Sequence, residues 1–222
     1  MKRGKFITFE GLDGCGKSTQ LQKLATSLRR AGHHVIVTRE PGGTAIGEKI
    51  RAVLLDSRTK GLAPRAESAL MFASRAQQIH QVILPAVREG KWVLCDRYTD
   101  SSEAYQGAGR GIGVHTIHML HEAICEGLQP DLTILMLSDL RTSIEGVSRA
   151  RRRNDRMKSQ KKNDEGRFES EKAAFFTRVY KAYQHIAKRD VKRVALIDPK
   201  RSIEEVHEEI VHTVKARLNV TL

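Results

Sequence analysis

Short apolar runs alternate along the chain with stretches in which apolar residues recur every three or four positions. The runs are rich in β-branched and aromatic residues and predict five buried strands, at residues 6–9, 35–37, 92–95, 132–137 and 194–197. The periodic stretches predict helices, the last of which covers residues 203–218. Strands that alternate with helices form a parallel sheet covered on both faces. We therefore predict one doubly wound α/β domain over residues 1–222, with a five-stranded parallel sheet and helices on both faces.

The first predicted strand leads into a glycine-rich sequence. Residues 11–18 read GLDGCGKS and fit the pattern G-x-x-x-x-G-K-[S/T] at every fixed position, between a predicted strand and the start of a predicted helix. Such a loop turns its N–H groups around an anion, while its lysine reaches the β- and γ-phosphates and its hydroxyl binds Mg²⁺. The sequence therefore predicts a P-loop NTPase fold and a site for a nucleoside triphosphate with Mg²⁺. The residues assigned to this site are Gly11, Leu12, Asp13, Gly14, Cys15, Gly16, Lys17, Ser18 and Thr19.

Charged residues follow other predicted strands at the same edge of the sheet. Arg39 and Glu40 follow the second strand, and Asp96 and Arg97 follow the third. Since open parallel sheets bind ligands at the carboxyl ends of their strands, we assign Asp96 and Ser18 to the metal and Arg97 to a second phosphate group. A structural ion pair between Asp96 and Arg97 is the alternative. The arginines expected to form an anion site that faces the triphosphate are Arg39, Arg75, Arg97 and Arg110.

The formal net charge of +13 first suggests a nucleic-acid partner. The distribution of charge changes this interpretation, because residues 149–167 contain nine Lys or Arg and three Asp or Glu. A concentrated basic block in a triphosphate-binding protein favours contact with phosphates, although it can also be a solvated face. Phosphoryl transfer requires positive charge and the exclusion of water. We therefore predict a basic mobile lid at about residues 149–168.

Several observations predict a cytoplasmic protein that does not interact with membranes. The sequence contains no run of 18 apolar residues. Its three cysteines, Cys15, Cys95 and Cys125, are too few and too scattered for a disulfide framework or a zinc site. Residues 1–4 lead directly into the first predicted strand, so no signal peptide is expected.

Four segments together resemble bacterial thymidylate kinases, in the nucleoside monophosphate kinase family. They are residues 10–18, TREPGGT at 38–44, DRY at 96–98 and AYQGAGRG at 104–111. Further likenesses at residues 129–133 and 175–179 extend the resemblance over essentially the whole chain. The resemblance implies a homodimeric enzyme of dTTP biosynthesis, which transfers the γ-phosphoryl group of ATP to dTMP with Mg²⁺. One alternative is a kinase for another nucleoside monophosphate or a deoxynucleoside. Another, from a different class, is a nucleotide-gated protein that binds nucleic acid through the basic block.

The resemblance also implies roles for residues at the acceptor nucleotide. Arg97 would grip the monophosphate with help from Arg39, Asp13 would accept a hydrogen bond from the 3′-hydroxyl group, and Tyr105 would crowd the ribose 2′ position. A helix N-terminal charge effect is the plain alternative for Asp13. The full set assigned to the acceptor is Asp13, Arg39, Phe72, Arg75, Arg97, Ser102, Tyr105 and Gln106.

In the same family, an aromatic residue stacks on the thymine base and an arginine reads one of its carbonyl groups. These roles fall to Phe72 and Arg75, with Ser102 at the edge of the base. The family usually separates the two residues by four positions, whereas three separate them here. Both spacings share a helix face, so Met71 is an alternative stacking residue. On periodicity alone, Phe72 is equally well explained as an ordinary core residue.

One branch of the family carries an arginine inside the phosphate loop, where this chain has Gly14. The resemblance therefore implies that lid arginines supply charge in the transition state, with Arg153 as the first candidate. The residues assigned to catalysis are Lys17, Arg97, Arg149, Arg151 and Arg153. The sequence departs from the family at Leu137, where the fourth strand commonly ends in aspartate. It also departs at Gly166, in place of a usual lid aspartate, and in a longer lid.

Overall fold

Five parallel strands form one sheet in the order β2-β3-β1-β4-β5. The computed structural model describes residues 3–59, 61–158, 167–168 and 170–221, and within these ranges it describes every side chain except those of residues 153–158. The predicted α/β fold and all five predicted strands are confirmed. The strands are β1 (Phe6–Glu10), β2 (Val35–Arg39), β3 (Trp92–Asp96), β4 (Leu132–Met136) and β5 (Val194–Ile197).

Helices connect the strands and cover both faces of the sheet. The first four are α1 (Lys17–Arg30), α2 (Ala45–Leu55), α3 (Pro64–Gln78) and α4 (Leu84–Arg88). The others are α5 (Thr99–Ser102), α6 (Val114–Cys125), α7 (Leu140–Lys158), α8 (Ala173–Arg189) and α9 (Ile203–Leu218). Two π-helical segments, Ile79–Ile83 and Glu103–Gly109, follow α3 and α5.

Alternation along each strand divides the core between the two faces of the sheet. Ile7 and Phe9 of β1 pack with α1 and α9, whereas Phe6 packs with residues of α3, α4 and α6. All five residues of β1 are fully buried, as expected for the central strand of a parallel sheet. Glu10 shares the face of Phe6, so its carboxyl group is buried beneath the helices on that side.

The residues of α2 that face the protein interior are not all the ones that its apolar periodicity predicts. Ile46 and Val53 are about half exposed, while Gly47 and Leu54 are buried. Arg51 lies between Gly47 and Leu54 at helical spacing, so this face carries a charged residue toward the carboxyl ends of the strands.

Across the described ranges, no helix has both the length and the apolar character that crossing a bilayer requires.

Candidate active site

The carboxyl ends of β1, β2 and β3 bring three chain segments together. Asp96 is the register partner of Phe9 on one side and of Arg39 on the other. The glycine-rich loop after β1 and the turn after β2, in which the Glu40–Pro41 peptide is cis, therefore lie on either side of the end of β3. The predicted phosphate loop, Arg39 and Arg97 consequently share one edge of the sheet.

The phosphate loop closes onto the N-terminus of α1 through Gly16, whose φ of 93° lies in the left-handed region that favours glycine. Lys17 is buried, and its Nζ donates to the carbonyl oxygens of Gly11 and Leu12 at 3.0 and 2.9 Å. A cavity of about 310 Å³ lies over the loop and is lined by Lys17, Ser18, Thr19 and Ala150 among others. This space, bordered by a helix N-terminus and a lysine, suits a polyphosphate.

Two of the nine residues assigned to this loop turn toward the interior. Leu12 is buried in the core, and Cys15 packs partly against a second core cluster. The Sγ of Cys15 lies 3.9 Å from the Nζ of Lys17. The side chains of Leu12 and Cys15 therefore contribute to packing, while the loop backbone remains available to a phosphate.

Ser18 and Asp96 fit a divalent cation. The Oγ of Ser18 donates to Oδ2 of Asp96 at 3.1 Å, and Oδ1 of Asp96 is buried with no hydrogen-bond partner among the described residues. Mg²⁺ prefers oxygen ligands and keeps several waters or phosphate oxygens, so it needs few protein ligands. In the described part of the chain, no group of three or more His, Cys, Asp or Glu side chains is placed to bind a metal.

A second cavity, of about 220 Å³, adjoins the phosphate loop and shares part of its wall with the first cavity. The shared wall consists of Asp13, Glu40, Arg51 and Arg97. Ligands in the two cavities would therefore face each other across the same arginines. This is the arrangement that transfer between a donor and an acceptor requires.

Arg97 lies at the end of the second cavity that adjoins the phosphate loop. Its φ of 72° is uncommon for a residue other than glycine, which indicates that its side chain is held in place by its surroundings. Nη2 donates to Oδ1 of Asp13 at 2.6 Å and to the hydroxyl of Tyr105 at 3.3 Å. Nη1 donates to Ser101 and Tyr183. Although burial opposes it, the charges of Arg97 and Lys17 hold the pKa of Asp13 below its usual value.

Arg75 lies at the deep end of the second cavity. Its Nε donates to Oε2 of Glu40 at 2.6 Å, and its Nη2 donates to Oγ of Ser102 at 3.0 Å. Nη1 of Arg75 and Oε1 of Glu40 are both buried and have no hydrogen-bond partner among the described residues. Burial raises the pKa of Glu40, and Arg75 opposes this shift. Arg75 lines the second cavity and not the first, so its unused Nη1 donor is suited to the polar edge of a base.

Phe72 does not reach this cavity, and the expectation that it stacks on a base there is corrected by the structure. The side chain is fully buried beneath the guanidinium of Arg75, which lies 4.6 Å from the ring centroid. Met71 lines the cavity instead. The reason is the direction of the side chains around the helix axis. Met71 precedes Arg75 by four positions and differs from it by about 40°, whereas Phe72 precedes it by three and differs by about 60° in the opposite sense. Arg75 therefore shares the cavity side with Met71, while Phe72 turns toward the sheet.

Arg110 is not part of the anion site, contrary to the sequence expectation. It donates to Glu67 and Glu171, and its guanidinium lies between the rings of Phe168 and Phe175. Two carboxylates therefore neutralise its charge, and it does not line either cavity described above.

Glu67 joins the second cavity to residues 167 and 168, at the end of the predicted lid. Its carboxylate is fully buried and accepts hydrogen bonds from Gln106 at 2.8 Å, from Arg110 at 3.1 Å and from Arg167 at 2.7 Å. Arg167 precedes Phe168, whose ring lines the cavity and meets Tyr105 edge-on at 5.8 Å. Gln106 lines the same cavity. Glu67 thus fixes two parts of the cavity wall.

The part of the predicted lid that the structure describes begins on α7. Gly146 lies so close to the phosphate loop that a Cβ on Gly14 would lie 2.3 Å from its carbonyl oxygen, and Ala150 lines the phosphate cavity one turn later. Arg149 and Arg151 are exposed beside Ala150. The side chain of Arg153 and the whole of Gly166 lie outside the described residues.

Arg39 and Leu137 are two further positions that the sequence singled out. Arg39 lines the phosphate cavity, is about half exposed and donates to Glu48 at 3.0 Å. Leu137 is buried in the core after β4. Asp139 accepts hydrogen bonds from the backbone and hydroxyl of Thr142 at the start of α7.

Arg51 and Phe168 are among the residues of the cavity wall that the sequence reasoning missed. Arg51 lines both cavities, and its Nη1 donates to the carbonyl oxygen of Pro41 at 2.9 Å. An arginine on the inward face of α2 was the available signal, since a charged residue at a buried helix position usually has a partner. Phe168 carried no such signal, because its place over the cavity depends on the distant Glu67.

The sheet, the phosphate loop and the adjoining acceptor cavity define a P-loop phosphotransferase. Comparison with known proteins supports this class, since the family model described as thymidylate kinase matches residues 9–210. A thymidylate kinase of Trichlorobacter lovleyi is 45% identical over 97% of this chain and 99% of its own length. One from Nitrosomonas eutropha is 44% identical over 97% and 94%, respectively. The crystal structure of thymidylate kinase from Ehrlichia chaffeensis covers 96% of this chain and 99% of its own, with 30% identity and a TM-score of 0.74. The chain belongs to the thymidylate kinase family, whose members are nucleoside monophosphate kinases.

Proposed function

We propose that the protein transfers the γ-phosphoryl group of ATP to dTMP, giving ADP and dTDP. The observation that carries this proposal is the second cavity, which offers Arg97 to a phosphate at the wall shared with the phosphate cavity and an unused donor to a base beyond that wall. Nη1 of Arg75 is that donor, whereas Glu40 lies in the shared wall with Arg97. A monophosphate bound in this way would present its phosphate toward the triphosphate site.

At the donor site, the phosphate loop binds the triphosphate through its N–H groups, and Lys17 supplies positive charge. Ser18 and Asp96 would hold Mg²⁺, which neutralises charge on the phosphate oxygens when it is bound. The acceptor is an ionised phosphate oxygen, so no side chain is needed as a covalent nucleophile. The main task of the protein is to align the two phosphates and to balance their charge.

At the acceptor site, Arg97 and Arg51 bind the monophosphate, and Arg39 adds charge from the rim. Asp13 accepts from the 3′-hydroxyl, at the cost of part of its contact with Arg97. Tyr105 lies with its hydroxyl 3.3 Å from Nη2 of Arg97, where it narrows the space beside the sugar and favours deoxyribose.

The base lies between apolar and polar walls. Met71 packs against its face, in the role that the sequence first gave to Phe72. Arg75 donates to a carbonyl group from Nη1, while Ser102 and Gln106 contact the edge of the base.

Charge in the transition state comes from the lid arginines Arg149, Arg151 and Arg153. Gly146 and Ala150 face the phosphate loop, and position 153 follows Ala150 by three residues on α7, which makes it the next position on that face. Arg153 is therefore the first candidate, and Arg149 and Arg151 follow. The lid insertion spans about residues 149–168, and its closure would exclude water.

We also propose the setting in which the enzyme acts. It works as a cytoplasmic homodimer in dTTP biosynthesis, with small-molecule substrates and no membrane or nucleic-acid partner. These features belong to the family resemblance of the sequence, which extends over nearly the whole chain.

The test is ADP release with ATP and Mg²⁺, measured for dTMP, dUMP, UMP, dCMP, dGMP and dAMP in turn. We expect a strong preference for dTMP, with Arg97→Ala raising the KM for dTMP and Arg153→Ala lowering kcat. Preference for another monophosphate would keep the phosphate roles and overturn the base contacts of Met71, Arg75 and Ser102. Absence of phosphoryl transfer to every acceptor, in a protein that still binds ATP, would contradict the proposal.

A further inference from the structure

Glu10 is a buried carboxylate that neither phosphate site uses directly. It ends β1, is fully buried, and receives four hydrogen bonds. Its Oε1 accepts from the backbone N–H groups of Tyr98 at 2.7 Å and Ser101 at 3.2 Å. Its Oε2 accepts from the hydroxyls of Ser101 at 2.6 Å and Tyr183 at 2.9 Å. Such complete satisfaction of a buried carboxylate marks a fixed network.

The same two hydroxyls hold Arg97. Its Nη1 donates to Oγ of Ser101 at 3.0 Å and to the hydroxyl of Tyr183 at 3.3 Å. The two hydroxyl oxygens also lie 3.0 Å from each other. Each hydroxyl has a single hydrogen, and the carboxylate of Glu10 is a stronger acceptor for it than the other hydroxyl. Both hydroxyl oxygens therefore present lone pairs to Arg97. An amide in place of the carboxylate could not accept all four hydrogen bonds. Its NH₂ group is a donor and would face either the two backbone N–H groups or the two hydroxyl hydrogens.

We propose that Glu10 and Tyr183 are positioning residues for the acceptor phosphate: through Ser101 and Tyr183, the carboxylate of Glu10 orients Arg97 toward the phosphate of the acceptor nucleotide. The inference rests on the proposed function, in which Arg97 binds that phosphate. Tyr183 lies on α8, far along the chain from β1, so the orientation of Arg97 depends on how α8 packs against the sheet.

The charge state of Glu10 belongs to this network. Burial and the neighbouring Asp100 on α5 raise the pKa of Glu10, and Arg97 and the two hydroxyls oppose this shift. The resulting pKa of Glu10 is about 7. Tyr183 on α8 and Cys95 on β3 are the other titratable groups that interact with it, and burial raises the pKa of both. The carboxylate form therefore gains population as the pH rises through neutrality, and Arg97 becomes more firmly oriented.

The first test is a double-mutant cycle between Tyr183→Phe and Arg97→Ala, with steady-state kinetics for dTMP and ATP. The matched control is Tyr180→Phe on the same helix, whose hydroxyl bonds to Gln184 and not to Arg97. Because hydrogen bonds to charged groups are strong, we expect Tyr183→Phe to raise the KM for dTMP about tenfold. We expect kcat and the KM for ATP to stay within about twofold of the wild-type values. In the Arg97→Ala background, Tyr183→Phe should add less than about twofold, because it acts through Arg97.

The second test is the pH profile of Glu10→Gln, with Glu103→Gln as a control at another buried glutamate, which pairs with Arg189. The KM of the wild-type protein for dTMP should fall as the pH rises through about 7, beyond the change caused by the substrate phosphate, whose second pKa is about 6. In Glu10→Gln, the KM for dTMP should change with pH only as the ionisation of the substrate phosphate requires. It should be higher than the KM of the wild type at every pH. If this variant does not fold, the Tyr183 cycle decides.

Three outcomes would overturn the inference. They are equal KM values for Tyr183→Phe and Tyr180→Phe, multiplicative effects of Tyr183→Phe and Arg97→Ala, and the same pH profile in folded Glu10→Gln as in the wild type. If Arg97→Ala itself leaves the KM for dTMP unchanged, the proposed acceptor site is wrong. A failure of the positioning role alone would instead leave the effect of Arg97→Ala intact.

Discussion

At the scale of single residues, Met71 and Phe72 lie next to each other on α3 and differ by about 100° in direction. Met71 lines the acceptor cavity, whereas Phe72 is buried beneath Arg75. We therefore expect Met71→Ala to raise the KM for dTMP by about tenfold through lost apolar contact, with little change in Tm. Phe72→Leu should leave that KM unchanged and lower stability by about 1 kcal/mol through imperfect repacking. Kinetics and thermal unfolding of both variants make the comparison, and a higher KM for Phe72→Leu than for Met71→Ala would show that Phe72 contacts the base.

Glu10 also links stability to pH. The pKa of Glu10 is about 7 in the folded protein against a usual value of 4.5, so between these values the folded state binds a proton that the unfolded state has released. The stabilising contribution is therefore complete below about pH 4.5 and is lost as the pH rises through about 7, with a size of up to about 3 kcal/mol.

Urea unfolding of the wild type and of Glu10→Gln at about pH 5 and pH 8 measures this contribution, because other groups cancel in the difference between the proteins. We expect the free energy of unfolding of the wild type to fall more between the two pH values than that of Glu10→Gln. Parallel changes in the two proteins would refute the assignment of the raised pKa to Glu10.

The sequence was most informative where a site is local. Residues 11–18 identify the phosphate loop because the pattern, the preceding strand and the following helix are contiguous. Residues brought together by the fold gave no comparable signal. Arg110 looked like an anion ligand, yet its charge is neutralised by Glu67, 43 residues away along the chain. The hydrogen bond from Tyr183 to Glu10 spans 173 residues. Neither partner can be found without knowing how the helices pack on the sheet.

At the scale of elements, the phosphate loop contacts α7 just before the predicted lid. A Cβ on Gly14 would lie 2.3 Å from the carbonyl oxygen of Gly146, and the φ of Gly14 is 79°. By contrast, a Cβ on Gly146 would meet the carbonyl oxygen of Asp13 at 3.3 Å, which requires only a small shift. Glycine at position 14 therefore allows α7 to approach the loop closely enough for Ala150 to line the phosphate cavity.

We expect Gly14→Ala to raise the KM for ATP by at least about tenfold, because either the loop or α7 must move by more than side-chain adjustment allows. Gly146→Ala should change it by less than about threefold. Gly61→Ala is the control for backbone strain alone, since Gly61 has a φ of 74° and open space around its Cβ position. Steady-state kinetics at saturating dTMP give the comparison. A KM for ATP in Gly14→Ala that matches Gly61→Ala would show that the contact with α7 does not shape the phosphate site.

At the scale of the whole molecule, residues 149–167 carry nine Lys or Arg and three Asp or Glu, which is +6 of the net charge of +13. Arginines of the described site are paired with carboxylates, as Arg97 is with Asp13 and Arg75 with Glu40. Of this block, Ala150 lines the phosphate cavity, and Arg149 and Arg151 are exposed beside it. This placement relates the described part of the block to the phosphate cavity.

Salt dependence distinguishes these two uses of the basic block. Binding to nucleic acid through several phosphates loses about 10³–10⁵ in affinity between about 50 and 200 mM salt, because counterions are released on association. Arg97, whose side chain is 17% exposed, is screened much less. We therefore expect the KM values for ATP and dTMP to rise only a few-fold over that range.

The measurement combines kinase assays with the anisotropy of a labelled single-stranded oligonucleotide, recorded with and without ATP. Arg152→Ser serves as a control for exposed charge on α7. An oligonucleotide affinity that depends on ATP, weakens steeply with salt and drops in Arg152→Ser would assign the basic block to nucleic acid and contradict its proposed role as a kinase lid.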